Sequence, residues 1–134
     1  MITSEVVERA ISDAETLITQ NGATSGVDRV HTALHGYLRA VCDKANISYA
    51  KDAGLPELFK VLREGHPSFQ VKGPQGVEIQ QVLRALGSII SALNPVRNRA
   101  SVAHPNEDLL DEPEAMLVIN SARTILNYLD SKLR

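Results

Sequence analysis

Arg97 and His104 stand seven residues apart inside a stretch bracketed by Pro95 and Pro105. An arginine can hold two phosphate oxygens in a planar fork and stabilise charge that develops on them. A histidine titrates near neutral pH and can take a proton or give one. The pair suits cleavage of RNA, whose 2′-hydroxyl is its own nucleophile, because strand scission then needs only proton movement and charge stabilisation at the phosphate. On a helix of 3.6 residues per turn the two residues fall on nearly one face, about 10 Å apart along the axis. Asn98 adjoins Arg97 as a neutral hydrogen-bonding group able to orient either partner. Arg99 points to a different face from His104 and suits phosphate positioning, as does the Ser101 hydroxyl.

From residue 94 to residue 106 there are two arginines and no acid, so positive charge is concentrated here. Concerted transfer is best served by both a base and an acid, and the stretch offers one histidine. A twofold axis near the motif would bring two copies of Arg97 and His104 to one cleft. Each residue also has a structural alternative. His104 can hydrogen-bond a backbone carbonyl at a helix end, Arg97 can pair with the acids that follow, and Arg99 can remain solvated.

The elements that must position the motif read as helices. Pro95 pushes Asn94 out of the α region, and Asn94 can cap a new turn with proline at its first position. A short helix is therefore predicted from Pro95 to about Ala103, ending at His104 ahead of Pro105. A long helix carrying Ile79, Val82, Leu83, Leu86, Ile90 and Leu93 leads into it. Upstream, Val7, Ile11, Ala14, Leu17 and Ile18 mark a helix from Thr3 to about Gln20, stopped by Asn21-Gly22. Val27, Val30, Leu34, Leu38, Val41 and Ala45 mark a second from about Ser25 to Ala45, antiparallel to the first. A shorter helix is opened by Gly54-Leu55-Pro56-Glu57 and closed by Gly65-His66-Pro67. Between Gly65 and Gly76 a surface loop is expected, with Phe69 and Val71 as its apolar anchors. Glu107, Asp108, Asp111, Glu112 and Glu114 follow the motif, and Asp111-Glu112-Pro113-Glu114 reads as a capped helix start whose carboxylates favour the positive end of the dipole. Val118, Ile119, Ala122, Ile125, Leu126, Leu129 and Leu133 mark the last helix, with Arg123, Lys132 and Arg134 toward its negative end. Strand signals are absent outside a few residues near Phe69. The chain is all-α, a bundle of four long helices plus one short one.

The 134 residues suffice for one domain with one core. Fourteen Lys+Arg against sixteen Asp+Glu give a net charge of −2, so nucleic acid would be held by a local patch rather than by bulk charge. A single cysteine, Cys42, excludes an intramolecular disulfide and a thiolate zinc site and points to a reducing, cytoplasmic setting. No secretion signal, membrane span or cofactor motif is visible. His31 and His35 are one helical turn apart, a spacing that paired metal ligands use, but no Glu-x-x-His accompanies them. They read as polar residues at the bundle edge with a supporting role at most, and no metal is implied. Tyr37, Tyr49 and Tyr128 read as boundary packing residues, and His66 carries no signal.

Arg97-Asn98 followed by His104 resembles the Arg-x(4–6)-His motif of the HEPN superfamily. With the earlier run Asp28-Arg29-Val30-His31-Thr32-Ala33-Leu34-His35-Gly36-Tyr37-Leu38 it resembles the C-terminal domain of abortive-infection proteins, from roughly residue 25 to the C-terminus. His35 departs from the pattern, standing where many HEPN relatives carry an acid on the second helix. The resemblance implies an HEPN-like up-and-down bundle over residues 1–134, as a complete small protein or as the C-terminal domain of a longer one. It implies a dimer with a composite, metal-independent site that cleaves RNA to a 2′,3′-cyclic phosphate and a 5′-hydroxyl, in phage defence or as a toxin. RNA, a second copy of the chain, and an antitoxin or N-terminal sensor domain would be the partners. The alternative is a non-catalytic HEPN-like module that dimerises and binds RNA or nucleotide to regulate a partner domain.

Overall fold

Helical periodicity and helix-stop chemistry account for most of the architecture. The computed structural model describes residues 3–20, 23–70, 72–101 and 111–133, with the backbone alone at 18, 23–25 and 94–101. The expected stop at Asn21-Gly22, and Val71, His104, Glu107, Asp108 and Arg134, lie outside the described residues. The helices are α1 (Ser4–Thr19), α2 (Ala23–Lys44), α3 (Leu55–Gly65), α4 (Gly76–Ser101) and α5 (Glu112–Leu133), and no strand occurs among the described residues.

α1 and α2 pack as an antiparallel pair: Arg29 of α2 reaches Asp13 of α1 at 2.8 Å, while Thr3 and Ser4 share a pocket with Val41 and Lys44. Asn46 ends α2 in the left-handed conformation at φ 58°, and the Ile47 N–H closes back on the Cys42 carbonyl at 2.9 Å. α3 starts where its proline needs no N–H partner, and its end is tied by Gln70, whose amide donates to the Arg63 carbonyl at 3.1 Å. Asp111 leads into α5, its carbonyl accepting from the Ala115 N–H at 2.9 Å, as the acidic start requires.

α2 is the spine, packing against α1, α3, α4 and α5. Val30, Leu34, Leu38 and Cys42 on α2 meet Val7 and Ile11 from α1, Leu58, Phe59 and Leu62 from α3, Leu83 and Ile90 from α4, and Ile119, Ile125 and Leu129 from α5 in one buried cluster. Burial pushes the Cys42 thiol up to about 11.

Three expectations are corrected. No new helix starts at Pro95: α4 runs from Gly76 to Ser101 with Pro95 in its interior. Proline forfeits one backbone bond there, a cost of about 3 kcal/mol that a helix already anchored on a core can carry with a local bend. The Gly65–Gly76 connection is not wholly a surface loop, because a 3-10 turn, Pro67–Phe69, buries Phe69 against Tyr128. Val82 is no core residue; it is 53% exposed.

Candidate functional site at the end of α4

α4 carries Arg97, Asn98, Arg99 and Ser101 of the expected site, and its described part presents three faces. At 100° per residue, Leu83, Leu86, Ile90 and Leu93 share one face, and all four are buried in the core. Val82, Ala85, Ile89 and Ala92 share a second face about 100° away, and all four are exposed, Ile89 at 37%. Their spacing of three and four residues is a heptad seam, the pattern with which one helix meets another. Arg84, Gly87, Ser88 and Ser91 form the third face and line a groove against Pro56, Glu57, Phe59, Lys60 and Arg63 of α3.

The helical backbone continues from these faces through Arg97, Asn98, Arg99 and Ser101. Register places position 97 in line with Ile90 and Leu93 of the buried face, position 96 in line with Ile89 of the exposed seam, and position 98 in line with Ser91 of the groove. Positions 96–98 thus continue the three faces one each, with position 97 in register with the buried face. Their side chains, and His104 altogether, lie outside the described residues.

His31 and His35 lie half-buried on α2. Their rings stack with centroids 6.3 Å apart and planes 17° from parallel. His35 Nε2 lies 2.9 Å from the Ala53 carbonyl, so that nitrogen carries the proton and ties α2 to the connection leading into α3. An imidazole N–H can donate to a backbone carbonyl, which an ionised carboxylate at that position could not do, and this gives the departure at His35 a structural reason. Among the described residues no group of three or more side chains suited to holding a metal assembles around the pair or elsewhere.

The histidine without a sequence signal has a role. His66 Nδ1 accepts from the Ser68 N–H at 3.1 Å and caps the 3-10 turn, and the ring meets Phe69 edge-on at 5.6 Å. It also borders a cleft of about 370 Å³ shared with Tyr37, Lys44 and Asp130, at the pole formed by the ends of α2 and α5. Tyr37 is not a boundary residue but is buried, and burial, with the Asp130 carboxylate adding, pushes its hydroxyl up to about 12. Tyr49 does lie at a boundary: its hydroxyl donates to Asp43 at 2.7 Å and Arg39 sits over its ring at 5.4 Å.

Sequence reasoning also missed the exposed seam. Val82 and Leu83, like Ile89 and Ile90, are adjacent apolar residues, and the doubling was the signal that α4 has two apolar faces rather than one. Among the described residues no helix is long and apolar enough to cross a membrane. The family model of the HEPN-like Abi_C domain matches residues 5–132, reaching further toward the N-terminus than the motif resemblance. No curated protein and no solved structure matches the chain.

Proposed function

Because the chain belongs to the HEPN-like Abi_C family, we propose that it is a metal-independent endoribonuclease of a phage-defence or toxin-like system, working as a homodimer whose two α4 helices share one site. The observation that carries this reading is the exposed heptad seam of Val82, Ala85, Ile89 and Ala92, which runs along α4 toward the turn that holds Arg97. A second copy seated there buries the seam and brings its own Arg97 and His104 close to the first pair.

Two copies supply both a base and an acid. One His104 removes the 2′-hydroxyl proton as that oxygen attacks phosphorus. The other, protonated, hands a proton to the 5′-oxygen as the P–O5′ bond breaks. Arg97 holds the non-bridging oxygens and stabilises their added charge, and Asn98 orients one of the two. Arg99 and Ser101 position the neighbouring backbone phosphates. The RNA chain ends in a 2′,3′-cyclic phosphate on one fragment and a 5′-hydroxyl on the other. An antitoxin or a sensor domain would restrain the activity until it is needed.

Incubation with mixed RNA in excess EDTA, followed by analysis of fragment ends, tests the proposal. The wild type should give cyclic-phosphate ends, and Arg97→Ala or His104→Ala should lower the rate by about 10²–10⁴-fold with the fold intact. Intact RNA from a properly dimeric wild type would instead favour a non-catalytic module that binds RNA or nucleotide.

A further inference from the structure

The groove between α3 and α4 has no part in the cleavage chemistry, and its lining is unlike the rest of the molecule. Lys60, Arg63 and Arg84 line it against one acid, Glu57, in a chain whose net charge is −2. No ion pair is formed by any of the three cations among the described residues, whereas Arg29 and Arg123 elsewhere are paired with Asp13 and Glu15. Arg63 Nε is shut away from solvent with no hydrogen-bond partner, a buried donor that the fold leaves unsatisfied. Ser88 and Ser91 add hydroxyls that now donate along their own helix, to the Arg84 carbonyl at 3.4 Å and the Gly87 carbonyl at 3.0 Å, and rotate freely to an incoming acceptor. The floor is the buried ring of Phe59 against Gly87, and the volume is about 470 Å³.

Position and direction decide what such a groove holds. Ser91 precedes Arg97 by six residues, about 9 Å of helix axis, so the groove leads onto the turn that carries the motif. It opens about 130° around α4 from the exposed apolar seam, so a second copy seated on the seam leaves the groove open. Two cations on the α3 wall, and one on the α4 wall beside that helix's hydroxyls, with no aromatic face exposed for base stacking, match a ribose-phosphate backbone rather than bases.

We infer that the α3–α4 groove is a backbone track for single-stranded RNA, in which Lys60, Arg63 and Arg84 contact successive phosphates and feed the strand toward Arg97. The inference rests on the ribonuclease reading for its substrate, but it concerns binding and can be read without any cleavage. The probe is a labelled single-stranded RNA of mixed sequence, titrated into the 134-residue chain carrying His104→Ala at several salt concentrations. Neutralising the groove with Lys60→Gln, Arg63→Gln and Arg84→Gln together should weaken binding by about tenfold or more and make the slope of log affinity against log salt shallower by about 2, near 0.7 for each phosphate that is no longer neutralised. Neutralising Arg9, Lys72 and Lys132, which remove the same charge but do not line the groove, should leave the affinity within about twofold.

Equal losses in both triple variants would mean bulk charge rather than a track, and no loss in the groove variant would remove the groove from binding; either result overturns the inference. If the groove triple variant fails to fold, the two exposed single variants, Lys60→Gln and Arg84→Gln, carry the same test with a slope change of about 0.7 each. Groove-dependent binding by a wild type that leaves RNA intact in EDTA would retain the track and discard the ribonuclease reading. Cleavage that persists unchanged in the groove variant would do the reverse.

Discussion

Helices α2 and α4 are both long, both mix apolar and basic residues, and both belong to the core, yet the fold treats them differently. α2 touches every other helix, and its polar side chains serve the fold: Arg29 on Asp13, His35 on the Ala53 carbonyl, Arg39 over Tyr49. α4 packs on α2 and α3, only lightly on α5, and among the described residues leaves an apolar seam exposed and Arg84 without an ion pair. A helix surrounded by its own chain stabilises; a helix with open faces is free to meet other molecules. On the proposed reading, binding falls to the helix that carries Arg97 and stability to the one that carries the histidine pair.

Substitutions on the two helices should therefore separate stability from assembly. The largest loss of stability is expected at the centre of α2: Leu34→Ala removes a fully buried side chain and should cost about 2–5 kcal/mol by urea unfolding. Alkaline pH gives a smaller effect. The Tyr37 hydroxyl stands at about 12 in the folded chain against 10.0 ordinarily, so the unfolded chain ionises first. Its contribution is whole below pH 10 and is lost as pH rises toward 12, by about 2–3 kcal/mol at most. Cys42, raised from 9.0 to about 11, starts a parallel decline one unit earlier. Urea midpoints should fall over this range, and Tyr37→Phe should flatten the upper part of the fall. The smallest change in stability is expected on α4: Ile89→Glu should shift unfolding by no more than about 0.5 kcal/mol while converting dimer to monomer in light scattering. A dimer that survives Ile89→Glu would erase the contrast between the two helices.

The helices themselves were legible because each has an apolar stripe and a chemical stop. Leu55-Pro56 opens α3 and Asp111-Glu112-Pro113 opens α5 where the residue types require. The features that were not legible depend on what packs against what. Pro95 breaks a helix by local rule, but the core contacts of Leu86, Ile90 and Leu93 just upstream carry α4 through it. Val82 fits the core stripe by spacing alone, and only the placement of α2 and α3 decides that Leu83 turns inward and Val82 outward. Phe69 sits among glycines and prolines, and its burial needs Tyr128 from the far end of the chain. Arg97 lies in helical backbone, though within α4 and not in a new short helix. The groove was not found, since Lys60 and Arg63 come from α3 and Arg84 from α4, and no spacing rule joins the two helices.

Mixing an inactive protein into the wild type tests a shared α4 site most directly. His104→Ala subunits, inert alone, are exchanged into wild-type dimers and the mixture is assayed on RNA in EDTA. Each mixed dimer retains both copies of Arg97 and a single His104. A cleft that draws its base and its acid from the two copies should lose cleavage in every mixed dimer, so that activity falls as the square of the wild-type fraction. Activity that falls only in proportion to the wild-type fraction, with mixed dimers confirmed, would show that each subunit carries its own complete site and would contradict a shared one.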